Sequence, residues 1–250
     1  MNTNLFYYIS ITIFLGIYQL TSCTQRDPVE RTDLQEEIRK VYDADGNLKS
    51  RFIIKDGKIN GEAVTYYPSG QISTMVVYID NKKEGIEKKY YQRGGQLYRI
   101  RPYTRGKLNG IEKRYYKTGN LKTEQEFSFN NPATGLIEYS ISGRIRSDYP
   151  ILEFEIIKDR DYAEQVLLTF HMSDNSKNVT YYAGKLLKNK YFNNEVDPEL
   201  SKDGIGEIWI EPGFSGSINI SAKVVRESRG LFITQARVKI SNEKIIKITY

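Results

Sequence analysis

The chain has 250 residues and a formal net charge of +6, and it contains 20 Tyr but only 1 Trp, 1 His and 1 Cys. A single Cys excludes an intramolecular disulfide. One His and one Cys are also too few ligands for a zinc site of the usual Cys and His type. The hydrophobic share of 39% is enough for a folded core, and one or two domains are expected at this length.

The first 22 residues carry no charged side chain, and residues 5–20 are mostly apolar or aromatic. This stretch is short for a bilayer span and fits the apolar core of a secretory signal, which predicts a signal peptide over residues 1–22. It ends in Leu20-Thr21-Ser22-Cys23, which resembles the lipobox of bacterial lipoproteins. The resemblance implies a lipid anchor on Cys23 and, since Thr24 follows it, an outer-membrane location. A cleaved signal without lipid and an uncleaved anchor are the alternatives.

The polar residues 23–40 that follow predict a lipidated tether between the anchor and the folded part of the chain. A capping-box spacing and apolar residues at helical intervals favour one short helix over residues 33–41. The competing interpretation is that Val41 and Tyr42 already begin the repeats described next.

Three segments of the chain align with one another, and each begins at a glycine and contains a pair of tyrosines. Their leading glycines, Gly61, Gly85 and Gly110, are 24 and 25 residues apart, and degenerate copies extend the pattern over residues 41–151. Glycines mark turns and the residues between them favour strands, so each unit predicts a β-hairpin. One hairpin cannot bury an adequate core, so consecutive hairpins are expected to pair edge to edge in an elongated sheet.

This pattern of a glycine, a Tyr-Tyr pair, a second glycine and an aliphatic residue resembles the MORN-variant repeats of the YwqK family of toxin–antitoxin antitoxins. The resemblance covers residues 41–151. It implies a binding protein that neutralises a partner toxin. An exported chain departs from a cytoplasmic antitoxin, and envelope immunity or adhesion are then the corresponding roles.

The repeats are the basic part of the chain, since residues 47–146 hold 19 Lys and Arg against 9 Asp and Glu. Lys88 and Lys113 occupy equivalent positions before their tyrosine pairs, as do Lys89 and Arg114, so alternation predicts a cationic row on each face of the sheet. Like charges side by side destabilise a sheet, which makes these four residues candidate contacts for an acidic partner. A solvated face whose lysines prevent aggregation is the more ordinary interpretation.

The first tyrosine of each pair is a further candidate for partner binding, namely Tyr66, Tyr90 and Tyr115. Tyrosine suits a thin sheet because its ring packs while its hydroxyl stays hydrated. We favour mutual packing along the sheet over an aromatic ligand platform, because every unit needs these rings to stack.

Beyond residue 151, apolar residues alternate with other residues in six segments. This pattern predicts a β-sandwich over residues 152–250, with an immunoglobulin-like topology as one option. Such a domain would cap the open end of the repeat sheet. Trp209 is expected in its core.

The stretch from Lys188 to Gly206 has acidic groups suited to calcium, but its spacing fails the EF-hand pattern and favours a solvated loop.

No catalytic constellation emerges, because His171 lies in a strand pattern and no nucleophile motif is present. The sequence therefore predicts an all-β, non-catalytic, lipid-anchored protein of the cell envelope, without cofactor or metal. Its repeats are expected to bind a partner protein or an acidic envelope component such as a glycan, and not nucleic acid, since export is predicted. A structural scaffold without a discrete ligand is the first alternative, and an enzyme acting on an envelope polymer is the second.

Overall fold

The structure is a computed structural model that describes residues 36–158, 166–193 and 201–250. The predicted signal peptide, Cys23 and the tether up to residue 35 lie outside the described residues. All described regular elements are β-strands, which confirms the all-β prediction. The described part of the chain contains no helix long and apolar enough to cross a membrane.

The first eleven strands form one antiparallel sheet. They are β1 (Glu37–Tyr42), β2 (Leu48–Lys55), β3 (Lys58–Tyr66), β4 (Ile72–Ile79), β5 (Lys82–Tyr90), β6 (Leu97–Thr104), β7 (Lys107–Leu108), β8 (Gly110–Tyr115), β9 (Leu121–Ser128), β10 (Asn131–Pro132) and β11 (Ile137–Glu138). Their order is β1-β2-β3-β4-β5-β6-β8-β9-β10, with β7 beside β6 and β11 beside β9. From β1 to β6, and again from β8 to β10, each strand thus pairs with its sequence neighbour, as expected for consecutive hairpins.

Strand β1 begins inside the segment predicted as tether. It pairs with β2 from Glu37 opposite Ile54 to Tyr42 opposite Leu48. The helix predicted over 33–41 is therefore wrong for the described residues 36–41, and Val41 and Tyr42 belong to a strand of the repeat sheet. The edge of an existing sheet satisfies the backbone groups of β1 on one side, and this outweighs a weak helical pattern.

The two glycines of a unit have different tasks. The second glycine closes a turn, as the sequence predicts: the backbone N–H of Gly119 donates to the carbonyl of Tyr116 at 3.0 Å. The leading glycine belongs to a strand instead: Gly61 and Gly85 lie within β3 and β5, and Gly110 begins β8. Gly110 has a φ of +117°, and a Cβ there would lie 2.9 Å from Cγ of Pro102 on the neighbouring strand. Only glycine fits at position 110, because the backbone there has a positive φ and the Pro102 side chain lies against it.

Each unit is tied to the next by the second tyrosine of its pair. The hydroxyl donates to the backbone carbonyl of a tyrosine in the following unit, which is the first of a pair in two units and the single Tyr139 in the last. The three bonds are Tyr67 to Tyr90 at 2.8 Å, Tyr91 to Tyr115 at 2.8 Å and Tyr116 to Tyr139 at 2.7 Å. We call this series the tyrosine ladder. These rings connect the units by reaching the backbone rather than by stacking on one another.

The remaining eight strands form two four-stranded antiparallel sheets. They are β12 (Leu152–Lys158), β13 (Val166–Met172), β14 (Val179–Ala183), β15 (Ser201–Lys202), β16 (Ile205–Ile210), β17 (Gly216–Val225), β18 (Leu231–Ser241) and β19 (Lys244–Thr249). The strand orders are β12-β13-β16-β15 and β14-β17-β18-β19. The six predicted segments are all strands, whereas the alternation pattern does not indicate β14 or β15.

The two sheets enclose the main apolar core and make the predicted sandwich. Phe170 and Leu168 from one sheet pack with Ile220 and Val238 from the other, and all four are fully buried. The expectation that Trp209 lies in this core is wrong, because it is 61% exposed. Its neighbours Ile208 and Ile210 face the core, so alternation turns Trp209 outward.

The sandwich covers the last strands of the repeat sheet. Tyr149 stacks on Phe232 with ring centroids 4.9 Å apart. The backbone N–H of Leu231 donates to the side chain of Gln125 in β9 at 2.9 Å. Arg226 pairs with the buried Glu138 of β11 at 3.3 Å. These contacts protect the apolar and polar groups of the final unit from solvent.

The tyrosine ladder predicts a measurable loss of stability when one hydroxyl is removed. Tyr91→Phe keeps the ring but leaves the carbonyl of Tyr115 without its donor, and we expect a loss of about 1 kcal/mol in the free energy of unfolding. Denaturant unfolding of both proteins measures it. Tyr42→Phe is the matched control, because Tyr42 is 55% exposed and should show almost no change. Equal effects of the two substitutions would contradict a structural role for the ladder.

Candidate functional site

The strand register decides which cations share a face of the repeat sheet. Lys89 lies opposite Arg99, and Arg99 lies opposite Arg114, so these three side chains form one row. Lys88 and Lys113 lie on the other face, with Ile100 between them. We call the first the arginine face and the second the lysine face. Equivalent positions thus share a face, as predicted, but one residue of β6 lies between them in each row.

The arginine face contains an ion network that replaces an apolar core. Glu87 is 4% exposed and pairs with Lys83 at 2.5 Å and with Arg99 at 3.3 Å. The equally buried Glu112 pairs with Arg101 and, at 2.6 Å, with Arg114. Buried carboxylates are stable only when paired in this way. The network fixes the arginine side chains and leaves an excess of positive charge.

The pKa values in the network reflect this arrangement. Burial acts to raise the pKa of Glu87, but the hydrogen bond and charge of Lys83, with the charge of Arg99, outweigh it and lower the pKa. Burial and the repulsion from Arg101 and Arg114 lower the pKa of Arg99. The Nε of Arg99 is buried and has no hydrogen-bond partner among the described residues. The carboxylates of the network therefore neutralise the positive charge of Arg99 only in part.

A cleft of about 320 Å³ opens where the arginine face meets the ends of the hairpins and the sandwich. We call it the tyrosine cleft. Its lining combines four tyrosines and three cations with one glutamine: Tyr67, Lys89, Tyr90, Tyr91, Gln92, Tyr98, Lys122 and Arg229. No carboxylate is among these lining residues, and the ion pairs of the described part of the chain include none of the three cations.

Tyr98 links the cleft to the ion network beneath it. Its hydroxyl oxygen accepts from Arg114 at 3.2 Å and from Arg229 at 3.4 Å. Burial acts to raise the pKa of Tyr98, but the charges of these two arginines outweigh it and lower the pKa. The ring also contacts Tyr91 edge to face, with centroids 5.0 Å apart. Since the oxygen accepts twice, the hydroxyl proton is left to donate to a bound group.

Arg229 comes from the turn between β17 and β18, so the sandwich completes a cleft that the repeats begin. The backbone N–H of Arg229 donates to the carbonyl of Arg226 at 2.8 Å, and its φ is +68°. Arg226 is itself held by Glu138 and Asp174. The contact between sandwich and repeat sheet therefore positions one of the three cations.

The residues predicted from sequence are distributed over several environments. Lys89 and Tyr90 line the cleft. Arg114 lies beneath it and is 8% exposed, so it cannot act as the free surface cation that the predicted row implies. Lys113 pairs with Glu124 at 2.9 Å on the lysine face, where Lys88 is exposed.

The other two candidate tyrosines lie outside the tyrosine cleft. Tyr66 accepts a hydrogen bond from Arg51 at 3.1 Å and lines a smaller hollow of about 220 Å³ between the preceding units. Tyr115 contributes its carbonyl to the tyrosine ladder.

Sequence reasoning missed Tyr98, Lys122 and Arg229. The recurring second tyrosine of each pair was a signal for Tyr67 and Tyr91, whereas nothing in the sequence points to Arg229.

A second cavity, of about 330 Å³, lies at the junction with the sandwich and includes Glu138, Arg146, Asp174 and Arg226. Its arginines are already paired with carboxylates, Arg226 with Glu138 and Asp174, and Arg146 with Asp148. We therefore assign the candidate site to the tyrosine cleft. Within the described ranges, no group of three His, Cys, Asp or Glu side chains is placed to hold a metal ion.

Comparison with known families matches a model described as MORN repeat variant to residues 59–80 and to residues 108–128. The first match covers hairpin β3-β4 and the second covers β8-β9. The predicted MORN repeats are confirmed there, and hairpin β5-β6 between them has the same tyrosine pair and ladder bond. Repeats of this type are commonly binding or scaffold modules. No curated protein compared with the chain is similar to it.

The ion network predicts a pH-dependent loss of stability in Glu87→Gln. Because the folded-state pKa of Glu87 is lowered, its ionised form stabilises the fold fully above the ordinary value of 4.5, and this stabilisation disappears as the pH falls through the lowered value. At neutral pH, removing the charge leaves Lys83 and Arg99 unpaired, and we expect a loss of about 3 kcal/mol. Denaturant unfolding over a pH series measures the difference, which should shrink towards acid pH.

Glu124→Gln is the control for this measurement. Its pair with Lys113 is more exposed, so its removal should cost less than about 1 kcal/mol. A loss in Glu87→Gln that stays constant down to the most acid pH would rule out the ionised carboxylate as its source.

Proposed function

We propose that this protein is a non-catalytic, lipid-anchored protein of the cell envelope that binds an acidic envelope component in its tyrosine cleft. The observation that supports the proposal most strongly is the set of three cations, Lys89, Lys122 and Arg229, around tyrosine rings with no carboxylate in the lining. An anion entering the cleft would meet charges that no described acidic group already neutralises.

The size and chemistry of the cleft favour one ligand class. A volume of about 320 Å³ is at the small end of ligand pockets and accommodates a single sugar ring or a few side-chain atoms. Tyrosine rings pack against the apolar face of a sugar, while the cations bind its carboxylate, phosphate or sulfate group. We therefore favour an acidic glycan. A partner protein, as the antitoxin resemblance implies, would have to present acidic side chains to the same cations.

The proposal predicts that charge reversal in the cleft abolishes binding. The full-length protein in mild detergent is titrated with polygalacturonate and dextran sulfate, with neutral dextran as the reference. Lys89→Glu combined with Lys122→Glu should weaken binding of the acidic polymers at least about 100-fold, since each lost charge contact contributes about 1.5 kcal/mol or more. High salt should weaken wild-type binding.

Lys88→Glu combined with Lys113→Glu is the matched control, because it makes the same change of charge on the lysine face. Its binding should remain within a factor of a few of wild type. Equal loss in both double variants would mean that only the overall charge of the repeats matters. Acidic-polymer binding unchanged by reversal in the cleft would overturn the proposal, and capture of a stoichiometric protein from native membranes would favour the protein partner instead.

The anchor is a separate part of the proposal and rests on the lipobox resemblance at Cys23. Cys23→Ser removes the only thiol of the chain and hence the atom that would bear the lipid. We expect the variant to lose incorporation of a labelled fatty acid and to leave the membrane fraction, while wild type retains both. Ser22→Ala is the control, since it keeps a small residue before the cysteine. Labelling that persists in Cys23→Ser would exclude this anchor.

A further inference from the structure

The outer face of the sheet β12-β13-β16 exposes a row of apolar side chains, and glutamate side chains lie next to that row. Ile157, Leu167 and Trp209 lie opposite one another on the three strands, and Trp209 is 61% exposed. The next row contains Glu155 and Glu207 on either side of Thr169. Neither glutamate forms an ion pair with a described residue. We call this surface the tryptophan face.

One more carboxylate, Glu153, lies further along the tryptophan face. Glu153 lies opposite His171 on the neighbouring strand, and its Oε2 is 3.2 Å from Nε2 of His171. An exposed tryptophan beside aliphatic side chains is typical of the centre of a protein interface, where it contributes strongly to binding. The acidic border indicates that the matching surface is basic.

The outer face of the other sheet has the opposite charge. Lys239 lies directly opposite Lys247, and Arg237 lies opposite Thr249 two pairs further on, on the same face of the sheet. Ser217 completes a shallow hollow of about 270 Å³ among these residues. None of the three cations forms an ion pair with a carboxylate in the part of the chain that the structure describes, and two lysines opposite each other repel. We call this surface the basic face.

The two faces lie on opposite sides of the sandwich and at the same end of it. Their alternate residues, such as Phe170 and Val238, meet in the shared core, so the outward residues point away from each other. Lys158, which follows Ile157, reaches Glu243 in the β18-β19 turn at 2.5 Å. The same turn joins the strands that bear Lys239 and Lys247.

We propose that the tryptophan face of one copy of this chain docks on the basic face of a second copy, so that copies associate head to tail. Glu155 and Glu207 would meet Lys239 and Lys247, and Arg237 or the lysine stems would cover the Trp209 ring in a cation–π contact. Pairing like faces would oppose charges of one sign, whereas the head-to-tail contact matches them. Such a contact uses different surfaces on the two copies and leaves one of each free, so further copies can add until the rotation between copies closes a ring.

The inference does not depend on the tyrosine cleft, since none of its residues lines that cleft. Each face presents only a few side chains on three or four strands, so the contact is small and should be weak and dependent on protein concentration. Local enrichment of copies, as on a membrane, would favour it.

The test uses a charge swap between two differently tagged full-length copies in mild detergent. Wild-type copies should capture each other, less so when the ionic strength rises from about 0.1 M to about 1 M. Glu155→Lys with Glu207→Lys should reduce self-capture at least about 10-fold, and so should Lys239→Glu with Lys247→Glu. Mixing the two variants should restore capture, because each altered face then meets a face of opposite charge.

Two further variants separate this contact from general charge effects. Trp209→Ala should weaken self-capture without changing any charge. Arg93→Glu with Arg144→Glu alters the same amount of charge on exposed residues of the repeats, and should capture like wild type. Thermal unfolding of every variant checks that outer-face changes leave the fold intact. Absence of wild-type self-capture, or failure of the mixed variants to restore it, would overturn the proposal.

Discussion

A hydrogen bond from a tyrosine hydroxyl to a backbone carbonyl of the next unit, repeated about every 24 residues, is the constraint on which the repeat sheet depends. A single-layer sheet has no second layer to align its hairpins, so alignment must come from contacts along the sheet. The ladder provides them at one end of the hairpins. It fixes Tyr67, Tyr90 and Tyr91 where the cleft forms, so the element that holds the units together also shapes the site.

The repeat sheet and the sandwich solve the problem of burial differently. The sandwich closes two sheets around aliphatic and aromatic side chains. The arginine face of the repeats has too few apolar residues for that, and buries Glu87 and Glu112 with arginine partners instead. Because cations outnumber carboxylates there, neutrality within the network is incomplete. The excess positive charge reaches the surface at the tyrosine cleft, where Arg229 of the sandwich adds a further cation. The junction between the repeat sheet and the sandwich is for this reason also the candidate site.

Sequence alone predicted the features that depend on short-range periodicity. The spacing of glycines and tyrosine pairs gave the hairpins, and alternation gave strands such as β13 and β18. It failed where the outcome depends on contacts distant in sequence. Arg114 reads as a surface cation until Glu112 and Tyr98 are known to surround it. Arg229 is separated from Tyr98 by 131 positions, so no local pattern joins them. Trp209 was misjudged by its residue type, although its position between Ile208 and Ile210 placed it outward.

The uniformity of the tyrosine ladder also affects how such a chain can change in evolution. Every link joins a hydroxyl to the same backbone position in the next unit, so the ladder itself is kept when one unit is duplicated or deleted. Each unit adds two strands, and hence about 10 Å, to the sheet. The number of repeats would thus act as a ruler that sets, in fixed steps, how far the first strand lies from the sandwich.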